Sequence, residues 1–437
     1  MPSDTLAHLP TLPELRLLPR QCRLQAYTPQ AVPGFAIADQ FIAYASPEAT
    51  FAVTRRLLAA ARHTILIGIY DFTAPYVRDL LVAAVQRGVQ VSVMLDLDQR
   101  KGEPELWADL LAQGCVGVPA PSCASVSARY FPSCHEKVIV IDDNWTLVQS
   151  GNYSEASIPQ NTTDGGDPAR FVPGNRDMGL AVHSAPLAAF FTGVLTGDMQ
   201  LEQAAPPGRG LAEPPAEPGI ALAATSPPQI PPTRFPSRRF RPRRPIPVQP
   251  VLSPDNYMQV IPDLLAAATR SIAIEQQYIR GDQPAIRTLL EAIRAARSQH
   301  PALQVRIVLA RPYGAPDPDH ADLAALAEFD LHFGAHVRYL NPAYFVHCHN
   351  KLLLVDGQRV LVSSQNWSDC AVTRNREAGL LVDYAPLARY YQAIFDLDWA
   401  TGLADLTAAS RATLRELPAA QDTAAQVPLS LGDYVEV

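Results

Sequence analysis

The apolar positions of this chain switch repeatedly between two periods. Short continuous runs (Thr64 to Tyr70, Val89 to Leu95, Val138-Ile139-Val140-Ile141, Thr146-Leu147-Val148-Gln149) have the length and composition of strands, several of them buried on both faces. Phe41 to Tyr44, Cys115 to Val118 and Met178 to Val182 read as further strands. Between them, Pro75 to Arg87, Glu105 to Gln113 and Pro186 to Met199 read as helices, the first closed by Gly88. Ser46-Pro47-Glu48 predicts another helix start, with a serine cap, proline in the first position and an acid in the first turn, and that helix runs to about Arg62.

The same order then returns. Ser253-Pro254-Asp255 repeats the helix start, and Leu264 to Ala268 repeats Leu57 to Ala61 at the same distance from its serine, with Pro262 expected to kink the helix. Strands follow at Ile272 to Tyr278, Gln304 to Leu309, Val337 to Leu340, Leu352 to Val355, Arg359 to Val362 and Ala378 to Val382. Helices follow at Pro284 to Gln299, Asp322 to Phe333 and Pro386 to about Thr401. A repeat of roughly 200 residues exceeds any solenoid unit and implies a duplicated domain. Strands alternating with helices predict α/β sheets covered on both faces. The expected organisation is an irregular leader (1–36), a first domain (37–203), a Pro/Arg-rich linker (204–248), a second domain (249–405) and a tail (406–437).

Composition adds boundaries. A chain of 437 residues should hold two or three domains, and an apolar share of 48% is ample for large cores. The net charge of -7 argues against a globally basic nucleic-acid binder, though a local cleft can still be positive. The 41 prolines are densest at the centre, as in an extended linker. That linker ends in Arg234, Arg238, Arg239, Arg241, Arg243 and Arg244 with Phe235 and Phe240 interleaved, either a solvated stretch or a grip on anionic phosphates. The six cysteines form no C-x-x-C pair or zinc spacing and read as free buried thiols, with Cys115 and Cys123 the one spacing that suits a bridge. Met1 to Leu18 lacks a cationic region followed by an apolar core, and no run is long enough to span a bilayer. A soluble, cytoplasmic monomer is expected.

One stretch carrying chemistry occurs twice. His135-Glu136-Lys137 is followed by Asp142, and His349-Asn350-Lys351 by Asp356, at the same spacing. Ser150 and Asn152 follow the first histidine at the offsets at which Ser364 and Asn366 follow the second. Then come Asn175-Arg176-Asp177 and Asn375-Arg376-Glu377. Residues two apart in a strand share a face, so each histidine points with its lysine, while Cys134 and Glu136 point away. Turns at Asp142-Asp143-Asn144 and Asp356-Gly357 make each copy a hairpin whose second strand ends at the serine.

His-x-Lys-x4-Asp with a following serine and asparagine, present twice, resembles the phospholipase D superfamily. The resemblance covers both halves and excludes the termini and the linker. It implies two tandem α/β/α sandwich domains related by a pseudo-twofold, with the active site at their interface. It also implies phosphodiester cleavage through a covalent phosphohistidine, without metal or other cofactor. By analogy His135 is the nucleophile and His349 the general acid, although the symmetry of the two copies does not decide this. Lys137 and Lys351 would hold the phosphoryl oxygens by charge, and Asn152 and Asn366 would donate hydrogen bonds to them. Asp177 and Glu377 match the acid that orients the histidine, with Ser150 and Ser364 in support. Asp142 and Asp356 read as structural anchors.

The copies depart from the family pattern in places. Gln149 and Ser363 stand where the family has glycine before the serine, and the insertion Ile158 to Gly174 delays the first acidic triplet. His347 shares the strand face of His349; it reads as a packed or solvated histidine, or as a contact to substrate. For substrate, Ile272-Ala273-Ile274-Glu275-Gln276-Gln277-Tyr278-Ile279 resembles a strand of phospholipases D, whereas Asn366-Trp367-Ser368 resembles superfamily nucleases. The reading is a phospholipid phosphodiesterase working peripherally at membranes, with a nuclease acting on DNA or RNA as the alternative.

Overall fold

The computed structural model describes residues 22–97, 102–206, 229–311 and 318–405. The start of the expected leader, residues 207–228 of the linker and the tail lie outside these residues. In chain order the first half runs β1 (Phe35–Ile37), β2 (Phe41–Ser46), α1 (Thr50–Ala60), β3 (Thr64–Ile69), α2 (Pro75–Gln86), β4 (Gln90–Leu95), α3 (Glu103–Ala112), β5 (Val116–Pro119), β6 (Val138–Ile141), β7 (Trp145–Gln149), β8 (Asp177–His183) and α4 (Ala185–Ala204). The second runs β9 (Arg238–Phe240), β10 (Ile246–Ser253), α5 (Tyr257–Ala266), β11 (Ser271–Gln276), α6 (Pro284–Gln299), β12 (Gln304–Leu309), α7 (Pro318–Ala327), β13 (Val337–Tyr339), β14 (Lys351–Val355), β15 (Arg359–Ser363), α8 (Asp369–Thr373), β16 (Glu377–Asp383) and α9 (Ala385–Thr401).

The strands form two mixed eight-stranded sheets. One has the order β5-β4-β3-β6-β7-β8-β2-β9, the other β13-β12-β11-β14-β15-β16-β10-β1. Position for position these are the same sheet. Their outermost strands are exchanged: β1 precedes the first half yet pairs with β10 of the second, and β9 follows the first half and pairs with β2. The expected irregular leader and linker thus each donate an edge strand. One apolar cluster under the first sheet gathers residues of α1, α2 and β3, and a second gathers residues of α5, α6 and β11. A third draws on both halves, including Phe191 and Leu195 of α4 with Tyr391 and Phe395 of α9. Burial of both faces explains why the strands read as continuous apolar runs.

Three expectations need correction. The Ser-Pro-acid triplets do not cap helices: α1 starts at Thr50 and α5 at Tyr257, neither with a side-chain cap. Their acids, Glu48 and Asp255, turn into the interior towards arginines, a stronger attraction than a helix terminus offers. The linker end holds β9 and the start of β10, an eight-residue strand that begins at Ile246, contains Pro247 and Pro250 and runs on into the second domain. Finally, Cys123 is bridged to Cys22, not Cys115, which is a buried free thiol. The short helix α8 had no counterpart in the sequence reading, while Pro262 does lie inside α5.

Candidate active site

Each of the two motif hairpins is fastened at its turn. Asp142 and Asp356 sit at positive φ (50° and 57°), a conformation the short polar Asp tolerates. The Asp142 carboxylate accepts from the N–H groups of Arg62, His63 and Thr64 at 2.9, 2.7 and 2.9 Å, and Asp356 accepts from those of Thr269, Arg270 and Ser271. These bonds lower both carboxyl pKa values against a burial effect that raises them. The two aspartates fix the hairpins to the strands beside them and lie at the ends away from the histidines.

At the other ends the halves meet. The His135 N–H donates to the Arg376 carbonyl at 2.8 Å, and the His349 N–H to the Arg176 carbonyl at 3.0 Å. The side chains cross in the same way. Nδ1 of His135 is 2.9 Å from both oxygens of Glu377, and Nδ1 of His349 is 2.9 Å from Oδ1 of Asp177. Each histidine is therefore oriented by the acid of the opposite half. A carboxylate on Nδ1 holds the proton there and leaves Nε2 for chemistry. Ser150 Oγ donates to Asp177 at 2.8 Å, and Ser364 Oγ donates to Glu377. Both lysines are buried, with ammonium groups donating to the carbonyls of the histidines two residues before them. Asn152 and Asn366 are buried, and Oδ1 of each has no hydrogen-bond partner.

The electrostatics separate the histidines. Burial, with Lys351 and Lys137 nearby, pushes His349 down to about 4 in spite of Asp177, so its ring is neutral at neutral pH. Burial tends to raise the Asp177 carboxyl, but His349, Lys351 and the Ser150 hydrogen bond together hold it below the ordinary range. The Tyr70 ring packs edge-on to His135, centroids 4.6 Å apart, with Nζ of Lys137 5.2 Å from its centroid. In the second half Gln277 Oε1 lies 3.5 Å from Nζ of Lys351.

The arginines of the two triplets have a structural role that the motif alone does not reveal. Arg176 is buried between Glu48 (2.8 Å) and Asp398 (2.9 Å), and Arg376 between Asp255 (2.6 Å) and Asp198 (2.8 Å). One acid of each set comes from the same half and one from the closing helix of the other. The equivalent placement of Asp198 and Asp398 in the closing helices was the available signal. Removing either arginine would leave two carboxyl groups buried without their counter-charge, so each arginine ties an acid of its own half to one of the other. Among the described residues no three His, Cys, Asp or Glu side chains gather as a metal ion would require.

The family model described as "Cardiolipin synthase, PLD-like domain" matches residues 54–164 and 261–399, more than half of the chain. The chain belongs to the phospholipase D superfamily. Among solved structures, phosphatidylserine synthase of Haemophilus influenzae Rd KW20 shares the fold, with a TM-score of 0.59 and 16% identity over 85% of this chain and 89% of that one. Nuc from Salmonella typhimurium, a phospholipase D family member, aligns with 39% of this chain and 100% of its own at 19% identity and a TM-score of 0.32. No curated protein matches the chain in sequence.

Within this superfamily fold, both sequence pointers to substrate fall on packed residues. Trp367 is fully buried and donates from Nε1 to the Tyr257 hydroxyl at 3.0 Å. Glu275 and Gln276 are buried on β11 beside β14, Glu275 near Cys348, and from that segment Gln277 reaches Lys351. The insertion packs on neighbouring elements: Asn161 donates to the Pro47 carbonyl, and the Tyr76 hydroxyl donates to the Ile158 carbonyl. Arg238, Arg239, Arg241, Arg243 and Arg244 are exposed along and just after β9, at the sheet edge. Among the described residues no helix is long and apolar enough to cross a membrane.

Proposed function

We propose that the protein cleaves the phosphodiester of a phospholipid by a two-step displacement at the junction of its halves. The observation that carries this is the crossed pair of histidine–carboxylate contacts, His135 with Glu377 and His349 with Asp177, each at 2.9 Å. Two histidines with opposite tasks are what an in-line displacement through a phosphohistidine requires.

The electrostatics favour His349 as the attacking group, the reverse of the order suggested by family analogy. Its neutral ring offers a lone pair on Nε2, whereas His135 meets both oxygens of one carboxylate, which stabilises an imidazolium. Nε2 of His349 bonds to phosphorus as the bond to the leaving oxygen breaks, and that oxygen takes the proton from Nε2 of His135. Neutral His135 then removes a proton from water or an alcohol. The oxygen of that acceptor bonds to phosphorus, and the P–N bond breaks. Lys137 and Lys351 balance charge on the non-bridging oxygens, and the Asn152 and Asn366 amides donate to them.

The lipid assignment rests on the family model that matches, supported by the exposed arginines. A basic edge of this kind attracts anionic membrane at about 1 kcal/mol per residue near the surface. The test is purified protein with phosphatidylglycerol or phosphatidylcholine vesicles against single- and double-stranded DNA, all in EDTA. Release of headgroup, or its exchange with added ethanol, is expected. DNA cleavage that requires His135, with no lipid turnover, would make the protein a nuclease instead.

A further inference from the structure

His347 is left over by this mechanism. It is 5% exposed, and neither ring nitrogen has a hydrogen-bond partner. An imidazole taken from water without a partner costs about 1–3 kcal/mol, and such groups in native proteins call for a functional account. The ring sits two residues before His349 on extended backbone and so shares its face. The groups that act on it electrostatically are His349, Lys351 and Asp177, all of the candidate site.

The duplicated fold supplies a control. The residue two before His135 is Ser133, whose hydroxyl donates to Asp96 at 3.2 Å; Asp96 also receives the Ser122 hydroxyl and the Cys134 N–H. The sheet registers Ile69↔Leu95 and Gln276↔Leu309 place Ala310 where the first half has Asp96. The first half therefore closes this position with an internal network. The second half has an unpartnered ring there and no acid to hold it.

We propose that His347 hydrogen-bonds an ester carbonyl on the acylglycerol arm of the substrate and so selects that arm. The inference rests on the phospholipid reading. Burial and the flanking His349 and Lys351 push the His347 ring down to about 3, so it is neutral and has no charge to offer a phosphoryl oxygen, a task the two lysines already fill. A neutral imidazole offers one donor and one acceptor, the complement of an uncharged polar group. In an in-line displacement the leaving oxygen departs away from His349, towards His135. The arm beside His349 is then the one that stays on phosphorus, and in a phospholipid its nearest acceptors are ester carbonyls.

The experiment compares diacyl with dialkyl-ether phosphatidylglycerol in vesicles, using the full chain and its His347→Phe and His347→Asn variants. On the diacyl lipid His347→Phe should lose at least about tenfold in kcat/KM, the scale of one buried hydrogen bond, and His347→Asn should recover part of it. On the ether lipid, which lacks the carbonyls, the unmodified protein should already show that loss and His347→Phe should add little. Equal loss on both lipids, or none on either, would overturn the inference while leaving the phospholipid reading in place. If the unmodified protein turns over neither lipid, the phospholipid reading fails and takes this inference with it.

Discussion

The two halves place the same carboxyl in the same place by different routes. In the first half Glu136, between His135 and Lys137, turns away from the site, and Gly68 of the neighbouring strand makes room: a Cβ there would lie 2.9 Å from Oε1 of Glu136. In the second half Asn350 stands at the position of Glu136, and Glu275 at that of Gly68. Both glutamates are fully buried, and burial is the main reason their carboxyls are raised, Glu136 to about 8 and Glu275 well above the ordinary range. The sequence repeat is broken at both positions while the spatial one is kept. Outside the reacting groups the halves have diverged: Tyr70 lies beside the first lysine and Gln277 beside the second, and Ser133 is satisfied where His347 is not. On the proposed reading, the two-fold is kept among the groups that would serve both ends of one phosphodiester and broken around them.

The comparison breaks first at the histidines. His135→Ala and His349→Ala should each lower kcat on a phosphodiester such as bis(p-nitrophenyl) phosphate by at least about 10²-fold, the usual scale for acid–base groups. Burst kinetics should separate them, with the covalent intermediate lost in His349→Ala and merely slowed in His135→Ala. A burst that survives loss of His349 would reverse the roles.

A smaller effect tests a link found in the first half alone. The Cys22–Cys123 bridge closes a separation of 101 residues and ties the leader down beside Tyr27, whose hydroxyl donates to Asp255 and accepts from Arg376. Cys22→Ser should cost about 2–4 kcal/mol in denaturant unfolding, and reductant should have the same effect on the unmodified chain but none on the variant. Reductant-insensitive unfolding of the unmodified chain would count against this.

The paired glutamates predict a pH signature of similar or smaller size. Glu136 is raised from the ordinary 4.5 to about 8, so the folded state binds the extra proton between those values. Its contribution to stability is complete below about 4.5 and is lost as pH rises through 8. Relative to Glu136→Gln, the unmodified protein should lose on the order of a few kcal/mol between pH 5 and pH 8. Glu275→Gln should show the same direction, and a flat difference for both would show that the carboxyls are not held protonated.

The smallest difference is expected at the turns. Asp142→Ala and Asp356→Ala each strand three backbone N–H groups and should cost about 1–3 kcal/mol, nearly equally, with kcat per folded molecule unchanged. A fall in kcat at full folding would place these aspartates in the chemistry.

Much of this was legible because it is periodic or local. The buried strands, the long helices and the two hairpins follow from apolar runs and turn residues, and α6 and β12 have the bounds the pattern predicts. What was not legible depends on partners far along the chain. Glu48 reads as a helix-start acid until Arg176, 128 residues away, is seen to claim it. Phe35–Ile37 and Arg238–Phe240 are too short to show a period and become strands only because an edge awaits them. Likewise Cys123 bridges to Cys22 across 101 residues, where spacing alone had suggested its near neighbour Cys115. The candidate site residues were visible as a motif, but that each histidine leans on the acid of the opposite half was not, since the two copies fit either pairing equally well.

The most direct test of that crossed site is to quench the reaction during turnover with substrate in excess and map the phosphorylated residue by mass spectrometry under conditions that preserve phosphohistidine. The account predicts a label on Nε2 of His349 that persists in His135→Ala and is absent from His349→Ala. A label on His135, or turnover with no labelled histidine, would contradict it.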